Sequence, residues 1–244
     1  MSENTRPGPA ADRPHEEELP VSPNDPAEWD AWAPSYGAEV DWVEEIHNKD
    51  LAELAGARGA RVLDIGCGTG RRARAVFAGA GRLTAVDSSR GMAAVARREL
   101  AGLEHAEVLE LDIEKDDLPP GLEFDAAVAV SVMHHLRDAR AALERVKSRL
   151  VPGGVLVIVD AVTGNGPLAA AGYYLEMLCR HNPLKLAAAF LSGHFLDTRL
   201  ARHRAVEAQL TLEQFAKRYQ AALPGARAER RHGLFGYLVW KKPL

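Results

Sequence analysis

The sequence predicts an α/β fold built on a doubly wound sheet of seven strands, mostly parallel with an antiparallel last strand. N-terminal helices precede the sheet, and a helical cap is inserted after strand five. Three observations carry this expectation. Apolar runs of strand length alternate with amphipathic helical segments from Arg61 to Asp160, the pattern of a parallel sheet covered on both faces. The first run ends in Asp64-Ile65-Gly66-Cys67-Gly68-Thr69-Gly70, as a buried strand does when it delivers its carboxyl end to a ligand-binding turn. Later runs end in carboxylates as well, at Asp87, Asp112 and Asp160.

Taken in order, Met1 to Asp25 is rich in Pro, Glu and Asp and poor in large apolar groups, so it reads as a disordered tail. One domain is expected over 26–244, with 163–224 as its helical cap. Trp29, Trp32, Tyr36, Val40, Trp42, Val43 and Ile46 recur at roughly helical intervals and define an N-terminal helical region. Pro34 argues against an unbroken helix through Trp29–Tyr36. Core packing accounts for Trp29 and Trp32, whereas Tyr36 is open to a second role.

Strand one, Arg61 to Ile65, leads through the glycines into a short helix from Arg71 to Ala80. Leu83 to Asp87 is strand two. A helix follows over Ser88–Leu100, with Ser88 or Ser89 as N-cap and Met92, Val95, Ala96 and Leu100 at helical spacing. Ala106–Leu111 and Phe124–Val130 are strands three and four. Ala139–Leu150 is helical, Val151-Pro152-Gly153-Gly154 a turn, and Val155–Val159 strand five. The alternation then stops. Leu168–Leu178, Pro183–Leu191 and Thr211–Ala222 read as cap helices, the last with a helix-start signal in Thr211-Leu212-Glu213-Gln214. Ala226–Arg231 and Gly236–Lys241 close the sheet as an antiparallel pair joined across Gly233.

Composition narrows the function. The chain has 244 residues, 47% apolar and 26% charged, enough for one large core without staples. A net charge of −4 gives no basic field to hold nucleic acid, and the short runs Arg71, Arg72, Arg74 and Arg199, Arg202, Arg204 read as solvated helix faces. Cys67 and Cys179 have neither disulfide-scaffold nor metal-ligand spacing. No stretch has signal-peptide or membrane-span length, so a cytoplasmic protein without membrane or metal partner is expected. The oligomeric state is left open.

The glycine turn selects among nucleotides. A dinucleotide site calls for Gly-x-Gly-x-x-Gly, and a P-loop calls for a lysine. Here the spacing is Gly66-x-Gly68-x-Gly70 behind Asp64, and no such lysine is present. A carboxylate beside the turn opposes a pyrophosphate but suits a ligand ammonium group. Asp87 is placed to accept from a ribose diol, and Asp112 or its neighbour from an adenine amine. Ammonium, ribose and adenine together describe S-adenosylmethionine.

With these residues in view, the sequence resembles the class I S-adenosylmethionine-dependent methyltransferases, small-molecule type, with a Rossmann-like fold. The resemblance rests on Val62-Leu63-Asp64-Ile65-Gly66-Cys67-Gly68-Thr69-Gly70, Ala85-Val86-Asp87-Ser88-Ser89, Leu111-Asp112-Ile113-Glu114, Phe124-Asp125 through Met133-His134-His135-Leu136, and Leu150-Val151-Pro152-Gly153-Gly154. It covers roughly residues 29–160 and the terminal strand pair. It implies that Gly66, Gly68 and the Asp64 region hold the methionine end, with Cys67, Gly70 and Ser88 also among the cofactor-binding residues. Asp87 would hold the ribose, Met92 would lie over the adenine, and Asp112 with Ile113 would address its edge. Ser131 would contact the cofactor through its backbone. Tyr36 matches an aromatic in a segment that often closes over the cofactor in related enzymes. Core packing explains Tyr36 and Met92 equally well.

The expected reaction is in-line methyl transfer to a small or medium-sized organic acceptor or a peptide end, leaving S-adenosylhomocysteine. The alanine- and arginine-rich composition suggests a bacterial gene of high G+C content and a place in specialised metabolism. His134 and His135 follow strand four and Asp160 ends strand five, so a histidine oriented by Asp160, His135 foremost, is the candidate general base. Packing of the histidine pair is the competing reading. Tyr173, Tyr174, Met177, Phe190, Phe195, His194 and His203 are candidates for the acceptor pocket or for cap packing. Two rival functions are a nicotinamide oxidoreductase, against which the glycine spacing speaks, and a cofactor-binding scaffold, regulator or non-methylating catalyst of the same fold.

Overall fold

The computed structural model describes residues 24–37, 40, 45–56, 58–163 and 210–244. The predicted tail up to residue 23, the predicted helices over 168–178 and 183–191, and the candidate pocket residues between Tyr173 and His203 lie outside the described residues.

The chain opens with α1 (Pro26–Tyr36), a one-turn 3-10 helix (Glu45–His47) and α2 (Asn48–Ala55). Asp25 caps α1 by accepting from Ala27 N at 2.9 Å, and Pro26 occupies the first helical position, where its missing N–H costs nothing. The expected break at Pro34 does not occur. Proline inside a helix costs about 3 kcal/mol. Pro34 stands in the last turn, however, and a contiguous aromatic group spans it: Trp32 lies 5.8 Å from Trp29 and 5.1 Å from Tyr36 by ring centroids. Tertiary packing overrides the local preference.

The sheet is then laid down as β1 (Arg61–Ile65), α3 (Arg71–Phe77), β2 (Arg82–Asp87), α4 (Arg90–Glu99), β3 (Ala106–Glu110) and β4 (Phe124–Val130). A 3-10 turn (Met133–His135), α5 (Ala139–Arg149) and β5 (Leu150–Thr163) follow. After the break come β6 (Leu210–Thr211), α6 (Leu212–Gln220), β7 (Arg227–Arg231) and β8 (Phe235–Lys241). The strand order is β3-β2-β1-β4-β5-β8-β7, parallel except that β8 runs against both β5 and β7. Winding reverses between β1 and β4, which opens a crevice at the carboxyl ends of those strands.

Two departures have simple causes. The predicted turn at Val151–Gly154 is an irregularity within β5. Phe124 pairs with Leu150 and Ala126 with Val155, and Gly153 at φ +78° takes up the extra residues. β6 is an added two-residue strand beside Val162 and Thr163, too short to show any period in sequence. The helix-start signal at Thr211 is a full capping box with Gln214, each side chain bonding the other residue's backbone N–H.

Both faces of the sheet are buried, so its central strands read as continuous apolar runs. One face packs Leu63, Ile65, Ala127, Ile158 and Leu238 against Leu143 and Val146 of α5 and Phe215 and Tyr219 of α6. The other packs Val62, Ala85, Val128, Val157 and Tyr237 against Leu51 of α2, Phe77 of α3 and Ala96 of α4. Among the described residues no helix is long and apolar enough to cross a membrane.

Candidate cofactor cleft and histidine turn

An open cleft lies at the crevice between β1 and β4, beyond the carboxyl ends of the strands, where open sheets of this kind hold their ligands. Of the residues the sequence nominated, Tyr36, Gly66, Cys67, Gly68, Asp87, Ser88, Met92, Asp112, Ile113, Ser131 and His135 line it. Asp64, Gly70, His134 and Asp160 do not; they stand behind the wall. Asn24, Trp29, Arg72 and Val132 line the cleft and were not nominated.

The glycine turn forms the floor. Gly66, Gly68 and Gly70 all have positive φ, and Cys67 N ties the turn to β2 through Val86 O at 3.0 Å. A Cβ on Gly66 would stand 2.7 Å from Val132 Cβ and collide with its Cγ2, so this glycine lets the turn and the loop after β4 meet. Gly70 serves packing instead, since its Cβ would meet Ala96 of α4 at 3.1 Å. The Cys67 thiol is buried. Desolvation, then the charges of Asp87 and Asp64, push its pKa well above the usual thiol range, so it stays protonated and is no nucleophile.

Asp87 ends β2 with both oxygens engaged by backbone, Oδ2 by Gly68 N at 2.8 Å and Oδ1 by Ser89 N at 2.9 Å. Burial raises its pKa to about 6, against the lowering effect of those two N–H groups. A carboxylate oxygen can accept more than one hydrogen bond, and Asp87 lines the cleft. Of the two candidate caps for α4, Ser89 holds the position and accepts from Met92 N at 3.0 Å, while Ser88 lines the cleft. Across the cleft, Asp112 Oδ1 accepts from Glu114 N at 3.0 Å and Oδ2 pairs with Lys115 Nζ at 2.6 Å, fixing the loop after β3. Ser131 adopts φ +56° while its N–H bonds Val159 O at 2.7 Å, a left-handed conformation uncommon outside glycine.

The histidine pair corrects one expectation. Asp160 orients His134, not His135: His134 Nδ1 and Asp160 Oδ1 are 2.8 Å apart, both side chains buried. Consecutive residues on a 3-10 turn project about 120° apart, so only one of the two rings reaches the cleft. That ring is His135, edge-on to Trp29 at 5.2 Å. His134 points inward, its ring 4.0 Å from that of His135. The second oxygen of Asp160 accepts from Tyr219 OH at 3.2 Å, and burial with the Asp160 charge raises the Tyr219 pKa so that it remains a donor.

α1 supplies the remaining wall. Trp29, read from sequence as core packing alone, lines the cleft while stacking on Trp32 and bonding Asn24 Oδ1 through Nε1 at 3.1 Å. Tyr36 stands beside it, 6.3 Å away. Nothing in the local sequence separates a core tryptophan from a cleft tryptophan. The distinction depends on where α1 docks.

A doubly wound sheet with this strand order, a glycine turn after β1 and carboxylates after β2 and β3 defines a class of nucleotide-cofactor folds that includes the class I methyltransferases. Residues 63–156 match the protein family described as "Methyltransferase domain". The demethylmenaquinone methyltransferase of Clavibacter sepedonicus is 36% identical over 127 residues, 51% of this chain and 50% of that protein. The chain thus spans about half the length of that relative. Among solved structures, the DhpI complex with S-adenosylhomocysteine superposes with a TM-score of 0.62 at 22% identity, covering 89% of this chain and 94% of that one. The [4+2]-cyclase SpnF superposes with a TM-score of 0.62 at 17% identity, covering 93% and 98%. At such identities the likeness carries the fold.

Proposed function

We propose that the chain binds S-adenosylmethionine in this cleft and transfers its methyl group to a small or medium-sized organic acceptor. The observation that carries the reading is the convergence of the glycine turn, Asp87, Asp112 and His135 on one cleft. The residues fit the group. Gly66 takes up the left-handed backbone of the turn where a Cβ would collide with Val132, and Asp87, fixed by two backbone N–H groups, lines the cleft as a carboxylate suited to a ribose diol. When bound, the cofactor supplies an electrophilic methyl on a sulfonium centre. The protein aligns the acceptor behind that methyl, a positioning effect worth up to about 7–11 kcal/mol in the best model systems. Asp64 and Gly70 support the turn from behind. His135 faces the acceptor side and takes the acceptor's proton where one must be lost. Bacterial specialised metabolism and a cytoplasmic setting belong to the same proposal.

Calorimetric titration with S-adenosylhomocysteine and with NAD tests the cofactor assignment; binding of NAD alone would overturn it. Against a panel of hydroxylated and amine acceptors, S-adenosylhomocysteine formation tests the reaction. His135→Ala is expected to lower turnover by about 10²–10⁴-fold with little change in cofactor affinity, as loss of a general base does. His134→Ala is expected to lower stability first. Turnover at the normal rate in His135→Ala removes the base role.

Asp87 makes cofactor affinity depend on pH. Its pKa in the free protein is about 6, and a diol donates to the ionised form. Affinity for S-adenosylhomocysteine should therefore fall about tenfold for each unit below that value and be level above it. The stability of the free protein runs the other way. Because the folded-state pKa lies above the ordinary 3.8, this group's contribution declines as pH rises from about 4 to about 6. Titrations across this window check both signs.

A second reading has a specific basis, the likeness to a protein named as a [4+2]-cyclase. In that reading the chain binds the cofactor and acts as a scaffold, regulator or non-methylating catalyst. Acceptor-dependent S-adenosylhomocysteine formation counts against it. Cofactor binding without turnover across the panel favours it.

A further inference from the structure

Asp30 belongs to no motif that the sequence singles out, and its carboxylate is not part of the cleft wall. It sits on α1 between Trp29 and Ala31, and one oxygen, Oδ1, accepts from Ser89 Oγ at 2.6 Å and Gly91 N at 2.7 Å. These donors belong to the first turn of α4, so Asp30 caps that helix from another element and meets the positive end of its dipole. The two hydrogen bonds hold the Asp30 pKa below the usual carboxylate range. Gly91 permits the approach: a Cβ there would lie 2.9 Å from Asp30 Cα and 3.2 Å from Ala33 Cβ. The helices meet backbone to backbone at this point. Arg71 Nη1 donates to Gly37 O at 3.0 Å and ties down the far end of α1.

Ser89 faces two carboxylates at once. Its N–H donates to Asp87 Oδ1 and its hydroxyl to Asp30 Oδ1. One residue therefore connects the carboxylate assigned to the ribose with the helix that carries Trp29 and Tyr36.

Resting on the cofactor assignment above, we infer that Asp30 is a positioning residue for the cofactor. It clamps α1 onto the α4 N-terminus so that Trp29 and Tyr36 form the wall of the occupied cleft, and Ser89 joins that clamp to Asp87. The cofactor then leaves only as fast as the clamp opens.

Asp30→Ala and Asp30→Asn test this by two measurements. Hydrogen exchange of the ligand-free protein reads the clamp alone, and stopped-flow tryptophan fluorescence reads the release of S-adenosylhomocysteine. Charge-assisted hydrogen bonds of this kind correspond to about tenfold or more. In Asp30→Ala the α1 amides should exchange about tenfold faster with β4 and β5 amides unchanged, and the ligand should dissociate about tenfold faster. Asp30→Asn keeps an oxygen acceptor and should lie between Ala and wild type, a graded rescue that loss of bulk packing does not give. Unchanged α1 exchange overturns the inference, and so does faster α1 exchange with ligand release at the wild-type rate. Wild-type protein that binds no S-adenosylhomocysteine overturns the cofactor assignment itself, and the exchange data show separately whether the clamp exists.

Discussion

Gly66→Ala is expected to abolish useful cofactor binding, the largest single-residue effect on the cleft. Two costs coincide at this position. The backbone has φ +62°, where an L side chain is strained by about 1–2 kcal/mol. The new Cβ would also stand 2.7 Å from Val132 Cβ. Val132 cannot swing away freely, because its carbonyl accepts the His135 N–H at 3.0 Å and so starts the histidine turn. Overpacking of this kind costs a further ~1–3 kcal/mol. Together these amount to about 2–5 kcal/mol, or roughly 30- to 4,000-fold in affinity if expressed at the site. Titration with S-adenosylhomocysteine measures it. The double variant Gly66→Ala/Val132→Ala separates the two costs, recovering the steric part and leaving the backbone part. Affinity within threefold of wild type in Gly66→Ala would show that the turn has another way to accommodate a side chain.

The same pair of residues shows what the sequence discloses and what it hides. Gly66 was legible because its role is local: a strand, an acidic residue and alternating glycines are contiguous, and φ is a property of one residue. Val132 was not, because its importance comes from meeting Gly66 across the β1–β4 crevice. The alternation of strands and helices, the closing hairpin and the helix-start signal at Thr211 were legible for the same local reason. The docking of α1 was not, since Asp30 meets Ser89 and Gly91 from 59 and 61 residues away and neither partner advertises it. The histidine pair shows the limit most sharply. Composition and position nominated both rings and Asp160, but which ring faces the carboxylate depends on the phase of a single 3-10 turn, and a shift of one residue exchanges their roles.

That phase makes Asp160→Ala the second large effect, and one expected in stability before activity. Asp160 satisfies two buried partners at once, His134 Nδ1 and Tyr219 OH. Removing the carboxylate strands both. An unsatisfied buried polar group costs about 1–3 kcal/mol, so the loss should be about 2–6 kcal/mol. In a domain of this size that lowers Tm by roughly 5–20 °C. Tyr219→Phe removes only one donor and should cost about 1 kcal/mol. If the three side chains form one network, Tyr219→Phe should cost less in the Asp160→Ala background than in wild type, because the hydroxyl it deletes has already lost its acceptor. Additive losses would mean that the Tyr219–Asp160 hydrogen bond contributes no net stability. The consequence for chemistry follows from where the network ends. Arg218 of α6 also donates to Leu136 O at 2.9 Å, directly after the histidine turn. α6 therefore braces the turn from two sides, through Asp160 at His134 and through Arg218 at Leu136. In Asp160→Asn an amide oxygen still accepts from His134, so most of the stability should be retained. Turnover should then change only as far as the orientation of His135 depends on the charge behind it. Comparing thermal melts and turnover for Asp160→Ala, Asp160→Asn and Tyr219→Phe thus separates a network that holds the turn in place from one that also sets the basicity of the ring in the cleft.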